Sequence, residues 1–394
     1  MPCTYWNEAT QTGTWDWTQV DVFAQAAFGI GAEPFFALSW PRSSGMEDYI
    51  PPGMAINPAT GLPYPDSYAA YAREWVRHFK QKGWPVRFYE IGNEPWVYFG
   101  WNVTDYTKLQ NYIDFFNAAA MAMRAENPNL LLSNDAIYQS RVVDYWLQHG
   151  DDVDFIDFHK YDANIIGEYT EQEMFVRAET RHWNTALSAR QKWLNARGKE
   201  LPIVLSETNY NSAWQGGTDS TIYNMAGAMW LALMLRTAIL SAVSYTISYE
   251  FTGPGEKGFG MINDANNQPW YTYYVSRMIG GNLAVGDSIL EADSTSENVR
   301  VIAWNHHGKL NIILICKATS QETVNLQGIT GQLDATWIDN TIPYTNPQLQ
   351  AATLNAENSI VLNGYTLMLL QQAMPMSLAT ILMLIISGLY FVTR

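Results

Sequence analysis

Two apolar runs in this chain end in a glutamate. "RFYEIGNEPW" (87–96) carries Glu94, and "PIVLSETNYN" (202–211) carries Glu207. Side chains alternate along a strand, so Glu90, Gly92 and Glu94 are expected on one face. Gly92 leaves room for something to approach, and Pro95 cannot continue a ladder. A single carboxylate at a strand end also fits a helix-capping residue in a loop. Two of them at the ends of two parallel strands are what glycosidic bond cleavage needs: one carboxyl protonates the leaving oxygen while the other attacks or activates water. The pair works when neighbouring environments hold one proton on and the other off near neutral pH.

Elements that position such a pair are legible along the chain. "EPFFALSW" (33–40), "VRFYEIGN" (86–93), "LLLSNDA" (130–136), "FIDFHKYD" (155–162), "PIVLSETN" (202–209) and "SYTISYEF" (244–251) read as short buried strands. Between them, residues 67–83, 106–128 and 185–200 repeat apolar positions every three to four residues, as helices do. Alternating β and α units imply a parallel sheet with helices outside it, as an open doubly wound sheet or a closed barrel. No G-x-G-x-x-G follows a first strand, which argues against an open-sheet nucleotide enzyme. From about residue 284 the helical period disappears. "VRVIAWNHHGKLNIILICKA" (299–318) reads as strand, turn and strand with "HHGK" at the bend, and the strands after it suggest a β-sandwich. The expected domains are an N-terminally incomplete catalytic (β/α) barrel over 1–285, a sandwich over 286–372 and a C-terminal membrane anchor or sorting tail over 373–394.

Composition narrows the partners. The net charge is −15 with no Lys/Arg cluster, which argues against nucleic acid and anionic headgroups. The 16 Trp and 23 Tyr fit either a large core or rings that stack on flat sugar faces. Cys3 and Cys316 form no metal or redox spacing and read as buried thiols. No metal or organic cofactor is implied. "MSLATILMLIISGLYFVT" (376–393) has 18 residues without a charge, close to the roughly 17–25 that span a bilayer. The expectation is a C-terminal membrane helix, holding the protein at an extracytoplasmic surface.

"EIGNEPW" and "VLSETN" resemble the acid/base and nucleophile signatures of clan A retaining glycoside hydrolases. The sandwich and "GFGMINDANNQPWYTYYVSRMIG" (258–280) are similar in style to family 39 and its relatives with an attached sandwich. The resemblance implies a (β/α)₈ TIM barrel, a carbohydrate substrate, Glu94 as general acid/base and Glu207 as nucleophile. Their carboxyls would lie about 5–5.5 Å apart. It further implies that Asn93 donates to the sugar 2-hydroxyl, and that His159 and Tyr161 orient Glu207 or bind sugar hydroxyls. Trp40 would be a stacking platform or a core residue, and Trp96, Trp101 and Trp214 lie in loops of the same rim. Only six barrel strands are visible where the fold has eight. Glu94 ends the second and Glu207 the fifth, which implies that two strands, and with them an export signal, precede residue 1. Strand 2 of the clan usually brings a basic residue to the nucleophile, and nothing here fills that position. The alternative reading is a carbohydrate-binding or polysaccharide-assembly protein that keeps the barrel without turnover.

Overall fold

A computed structural model describes residues 2–38, 50–100, 106–213, 220–253, 259–343, 345–373, 384–386 and 389–391. The chain opens with β1 (Cys3–Asn7), β2 (Thr12–Trp15), α1 (Thr18–Gly29), β3 (Phe35–Leu38), β4 (Ile56–Asn57), β5 (Leu62–Pro63) and α2 (Pro65–Lys82). There follow β6 (Phe88–Ile91), α3 (Pro95–Phe99), α4 (Tyr106–Glu126), β7 (Leu131–Ser133), α5 (Ser140–His149) and β8 (Ile156–Ala163). Next come α6 (Glu171–Thr180), α7 (Trp183–Arg197), β9 (Ile203–Asn211), α8 (Met225–Leu240) and β10 (Tyr245–Ser248). The small strands β11 (Thr252–Gly253), β12 (Ile262–Asn263) and β13 (Gln268–Pro269) lead to α9 (Tyr271–Gly280). Each of the six runs read as barrel strands holds one strand: β3, β6, β7, β8, β9 and β10.

Two compact units divide the chain. The first takes in Met1–His159, His182–Ser206 and Val243–Tyr245. Here β3, β6 and β7 form a parallel sheet, with Phe35 opposite Phe88 and Phe88 opposite Leu131. Tyr89, Glu90 and Ile91 are buried in succession, as expected of a parallel strand covered on both faces. Pro65 starts α2, and Gly83 ends it in a left-handed conformation (φ 69°) with its N–H on the Lys80 and Phe79 carbonyls. Tyr68, Ala72, Trp75, Val76 and Phe79 bury one side of that helix. The Tyr112 hydroxyl of α4 donates to the Ile91 carbonyl at 2.7 Å, tying helix to strand end. The N-terminal segment carries the antiparallel β1–β2 hairpin before α1.

The second unit takes in Lys160–Arg181, Glu207–Ala242 and Thr246–Arg394. β8 enters it after His159 and β9 after Ser206. Thr170 and Glu173 close a capping box on α6, and Asn224 caps α8 through the Ala226 and Gly227 amides. The strands after α9 are β14 (Ser288–Leu290), β15 (Val299–His306), β16 (Lys309–Cys316), β17 (Glu322–Val324), β18 (Gln332–Asp339), β19 (Gln350–Asn355), β20 (Ile360–Leu362) and β21 (Thr366–Ala373). Six of them form one antiparallel sheet in the order β14-β15-β16-β21-β18-β19, and β17 pairs with β20. Val301, Ile312, Leu333 and Leu370 share one apolar core with Val324 and Leu362, which makes a sandwich. His307 (φ 48°) and Gly308 (φ 80°) turn β15 into β16 at the expected bend.

The tail departs from its expectation. Most of 376–394 lies outside the described residues, but β22 (Leu384–Ile386) and β23 (Leu389–Phe391) pair antiparallel. A C-terminal membrane helix is therefore not supported. Among the described residues no helix is long and apolar enough to cross a membrane.

Candidate active site

Glu94 stands just past β6, held by backbone geometry that the strand itself does not supply. The pleat ends at Ile91, because Gly92 (φ 87°) and Glu94 (φ 47°) both turn left-handed. Strand parity thus places Glu90 but does not extend to Glu94. A non-glycine residue in that region costs on the order of 1–2 kcal/mol. Two hydrogen bonds and the start of a helix hold this stretch in place. The Gly92 N–H donates to the Leu38 carbonyl at 3.1 Å, the Glu94 N–H donates to Asp135 Oδ2 at 2.9 Å, and Pro95 begins α3. The Glu94 side chain is half-buried, and its Oε1 lies 3.2 Å from His159 Nδ1. His159 Nε2 in turn lies 3.4 Å from Asp135 Oδ2.

Around this imidazole the first unit buries three more acidic residues. Glu90, Asp135 and Asp157 are at most 1% exposed. Burial pushes the Asp135 carboxyl well above its ordinary range; the neighbouring His159 pulls it down, and Asp157 and Glu94 push it further up. Burial likewise raises Asp157. Glu90, Asp135 and His159 each offer one donor atom, all within 4.8 Å of one another. Three N/O donors match a catalytic zinc ligand set. However, His159 already directs Nδ1 at Glu94 and Nε2 at Asp135, so the arrangement reads as a proton-sharing cluster.

Glu207 belongs to the second unit, part-way along β9, and is half-buried. The Tyr161 hydroxyl from β8 donates to Glu207 Oε1. Next to it, the Thr208 hydroxyl donates to the Lys160 carbonyl at 2.6 Å, fixing β9 to β8. The Asn209 amide donates to the Phe259 carbonyl at 3.0 Å. Lys160 is wholly buried, with Nζ 2.7 and 2.9 Å from the two oxygens of Asp162. Desolvation lowers that lysine to about 8, opposed by Asp162.

The expected site residues divide accordingly. Tyr161 meets Glu207, as the resemblance implied. His159 was expected to orient Glu207 or bind sugar hydroxyls; among the contacts described for it are those to Glu94 and Asp135. Asn93 is half-buried beside Glu94, and Trp96 is half-buried in α3. Trp40, Trp101 and Trp214 lie outside the described residues. Asp135 was missed, although "LLLSNDA" is a third apolar run that ends in a carboxylate.

No family model and no curated protein matches the sequence. Solved structures do match. A GH39 β-xylosidase from Caulobacter crescentus is 15% identical at a TM-score of 0.63, over 92% of this chain and 84% of that one. A GH51 α-L-arabinofuranosidase from Thermotoga petrophila is 14% identical at 0.64, over 92% and 80%. A GH30 endoxylanase from Clostridium papyrosolvens is 15% identical at 0.60, over 93% and 86%. At these identities the likeness establishes the fold, and that fold is the one the two glutamate motifs implied.

Proposed function

We propose that this chain is a glycoside hydrolase that retains configuration through a covalent glycosyl-enzyme. The observation that carries this reading is the different company of the two glutamates, Glu94 just past β6 and Glu207 within β9. Glu94 faces an imidazole, a group that takes and returns protons near neutral pH. Glu207 accepts a hydrogen bond from a phenol, which orients its carboxylate for attack. In the first step a Glu207 oxygen bonds to the anomeric carbon as the glycosidic C–O bond breaks, and the Glu94 proton passes to the leaving oxygen. In the second step Glu94 takes a proton from water, whose oxygen displaces Glu207 and frees the sugar. By the resemblance to clan A glycosidases, Asn93 would donate to the 2-hydroxyl. The acidic chain favours a neutral glycan, and the names of the structural neighbours put xylosides and arabinofuranosides first among substrates to try.

The test is a panel of aryl glycosides and polysaccharides with two variants. Glu207→Gln should abolish turnover. Glu94→Gln should slow poor leaving groups by about 10²–10⁴-fold and acidic phenols far less. Azide should restore part of the Glu94→Gln rate, because azide needs no general base. Inverted product, or full rates in both variants, would sink the mechanism. Sugar binding without turnover would support the binding-protein alternative.

A further inference from the structure

We propose that Asp135 is the positioning residue of the acid/base: one carboxylate oxygen holds both the backbone of Glu94 and the imidazole that faces Glu94's carboxyl. The inference rests on the glycosidase reading for its kinetic consequence and on geometry alone for the contact ring. Asp135 Oδ2 accepts the Glu94 N–H at 2.9 Å and lies 3.4 Å from His159 Nε2, and His159 Nδ1 closes the ring 3.2 Å from Glu94 Oε1.

The choice of an aspartate calls for an explanation beyond folding. Holding one backbone N–H needs only a neutral acceptor, and Asn or Ser does that in most helix caps. A wholly buried carboxyl is a costly substitute for either. What a carboxyl adds is a proton to exchange. An imidazole has two nitrogens, and the state of one fixes the state of the other. When Nε2 donates to an ionised Asp135, Nδ1 is left to accept from a protonated Glu94. When a protonated Asp135 donates to Nε2, Nδ1–H donates to an ionised Glu94. The two arrangements match the acid and base forms that the two steps require.

The surroundings support such an exchange. Among the described residues, groups facing this ring include Glu90 from β6, Tyr112 from α4, and Asp157 on the same strand as His159. Burial raises Asp135 to where its proton and that of an imidazole compete.

Asp135→Asn keeps an acceptor for the Glu94 N–H but cannot exchange a proton. It should slow hydrolysis of glycosides with poor leaving groups by about tenfold or more, with a smaller loss on acidic phenols. The alkaline limb of the pH–rate profile for the poor leaving groups should move. Equal losses on both substrate types, with an unmoved profile, would mean a merely structural role and overturn the proposal. Imidazole ¹⁵N shifts, assigned through His159→Gln, provide a readout independent of activity. The tautomer of His159 should change on Asp135→Asn; should that variant not fold, the His159 shifts of the unsubstituted protein should follow pH through more than one step. A single-step titration of His159 in the intact chain, or one indifferent to Asp135→Asn, overturns the proposal even if no substrate is found. If the panel yields no turnover while the ¹⁵N shifts respond as expected, the glycosidase reading fails and the contact ring stands.

Discussion

Asp135 and Asp162 are both wholly buried carboxyls, each near a basic side chain, yet their surroundings differ in kind. Asp162 sits in a closed arrangement. Lys160 meets both of its oxygens, Trp230 Nε1 donates to Oδ2 at 2.8 Å, and Lys160 Nζ also lies within hydrogen-bond reach of the Arg177 and Arg181 carbonyls. Asp135 instead shares one imidazole with Glu94, and Glu90 and Asp157 crowd the same space. The first arrangement is complete and carries no assigned chemistry. The second concentrates acid beside a residue held in a strained backbone conformation. Strain and crowded buried acid gather where the proposed chemistry is, and the Lys160–Asp162 pair marks scaffold.

The largest effect on folding should come from breaking the satisfied pair. Lys160→Met leaves Asp162 buried without its cation and should cost about 3–5 kcal/mol in denaturant unfolding. Removing both charges, as Lys160→Met with Asp162→Leu, should recover much of that loss. If the single variant is as stable as the parent, Lys160 is not the partner that matters and the contrast drawn above collapses.

The acidic cluster should respond in the opposite sense. Asp157 has its folded-state proton affinity raised by burial, whereas the unfolded chain ionises it in the ordinary carboxylate range. The folded state therefore holds the extra proton between those two limits. Its stabilising contribution is fully present below the ordinary range and is lost as pH rises through the raised value. Asp157→Asn cannot ionise and should escape that loss. Its melting temperature should exceed the parent's by a few degrees at neutral pH, with the gap closing as pH falls toward 4. A gap of constant size across pH would show that Asp157 is not protonated on folding.

Much of this arrangement was legible in the sequence because the signals are local. Each of the six apolar runs holds one strand, and the bend at "HHGK" closes between β15 and β16. The Tyr161–Glu207 bond follows from two strands that neighbour each other in one sheet. Alternation gave the face on which His159 lies, but not which carboxylate it reaches, since that depends on how far neighbouring strands are staggered. Asp135 escaped for a related reason. Its run ends in Ser133-Asn134-Asp135, which reads as a turn, and only the contact to the Glu94 N–H shows where its carboxyl points. The tail misled because 18 uncharged residues fit a helix by length. Yet Leu384–Ile386 and Leu389–Phe391, which carry two Ile, a Tyr and a Phe, pair as antiparallel strands.

The smallest effect separates burial from distance. Lys192 Nζ lies 2.7 Å from Asp144 Oδ2, the same separation as the closer contact in the Lys160–Asp162 pair. The side chains are 31% and 56% exposed, where those of Lys160 and Asp162 are fully covered. Water already solvates both charges, and holding two flexible side chains together costs entropy, so the pair should contribute little. Asp144→Asn keeps the Lys192 contacts to the Ser140 hydroxyl and carbonyl, which isolates the charge. It should change stability by less than about 0.5 kcal/mol, and by less still at high salt, because exposed charges are screened. Measured beside Lys160→Met, a near-zero value assigns the larger loss to desolvated charge rather than to a short N···O distance. Equal losses at the two sites would mean that distance alone sets the strength of an ion pair in this protein, and the contrast between its two buried clusters would lose its physical basis.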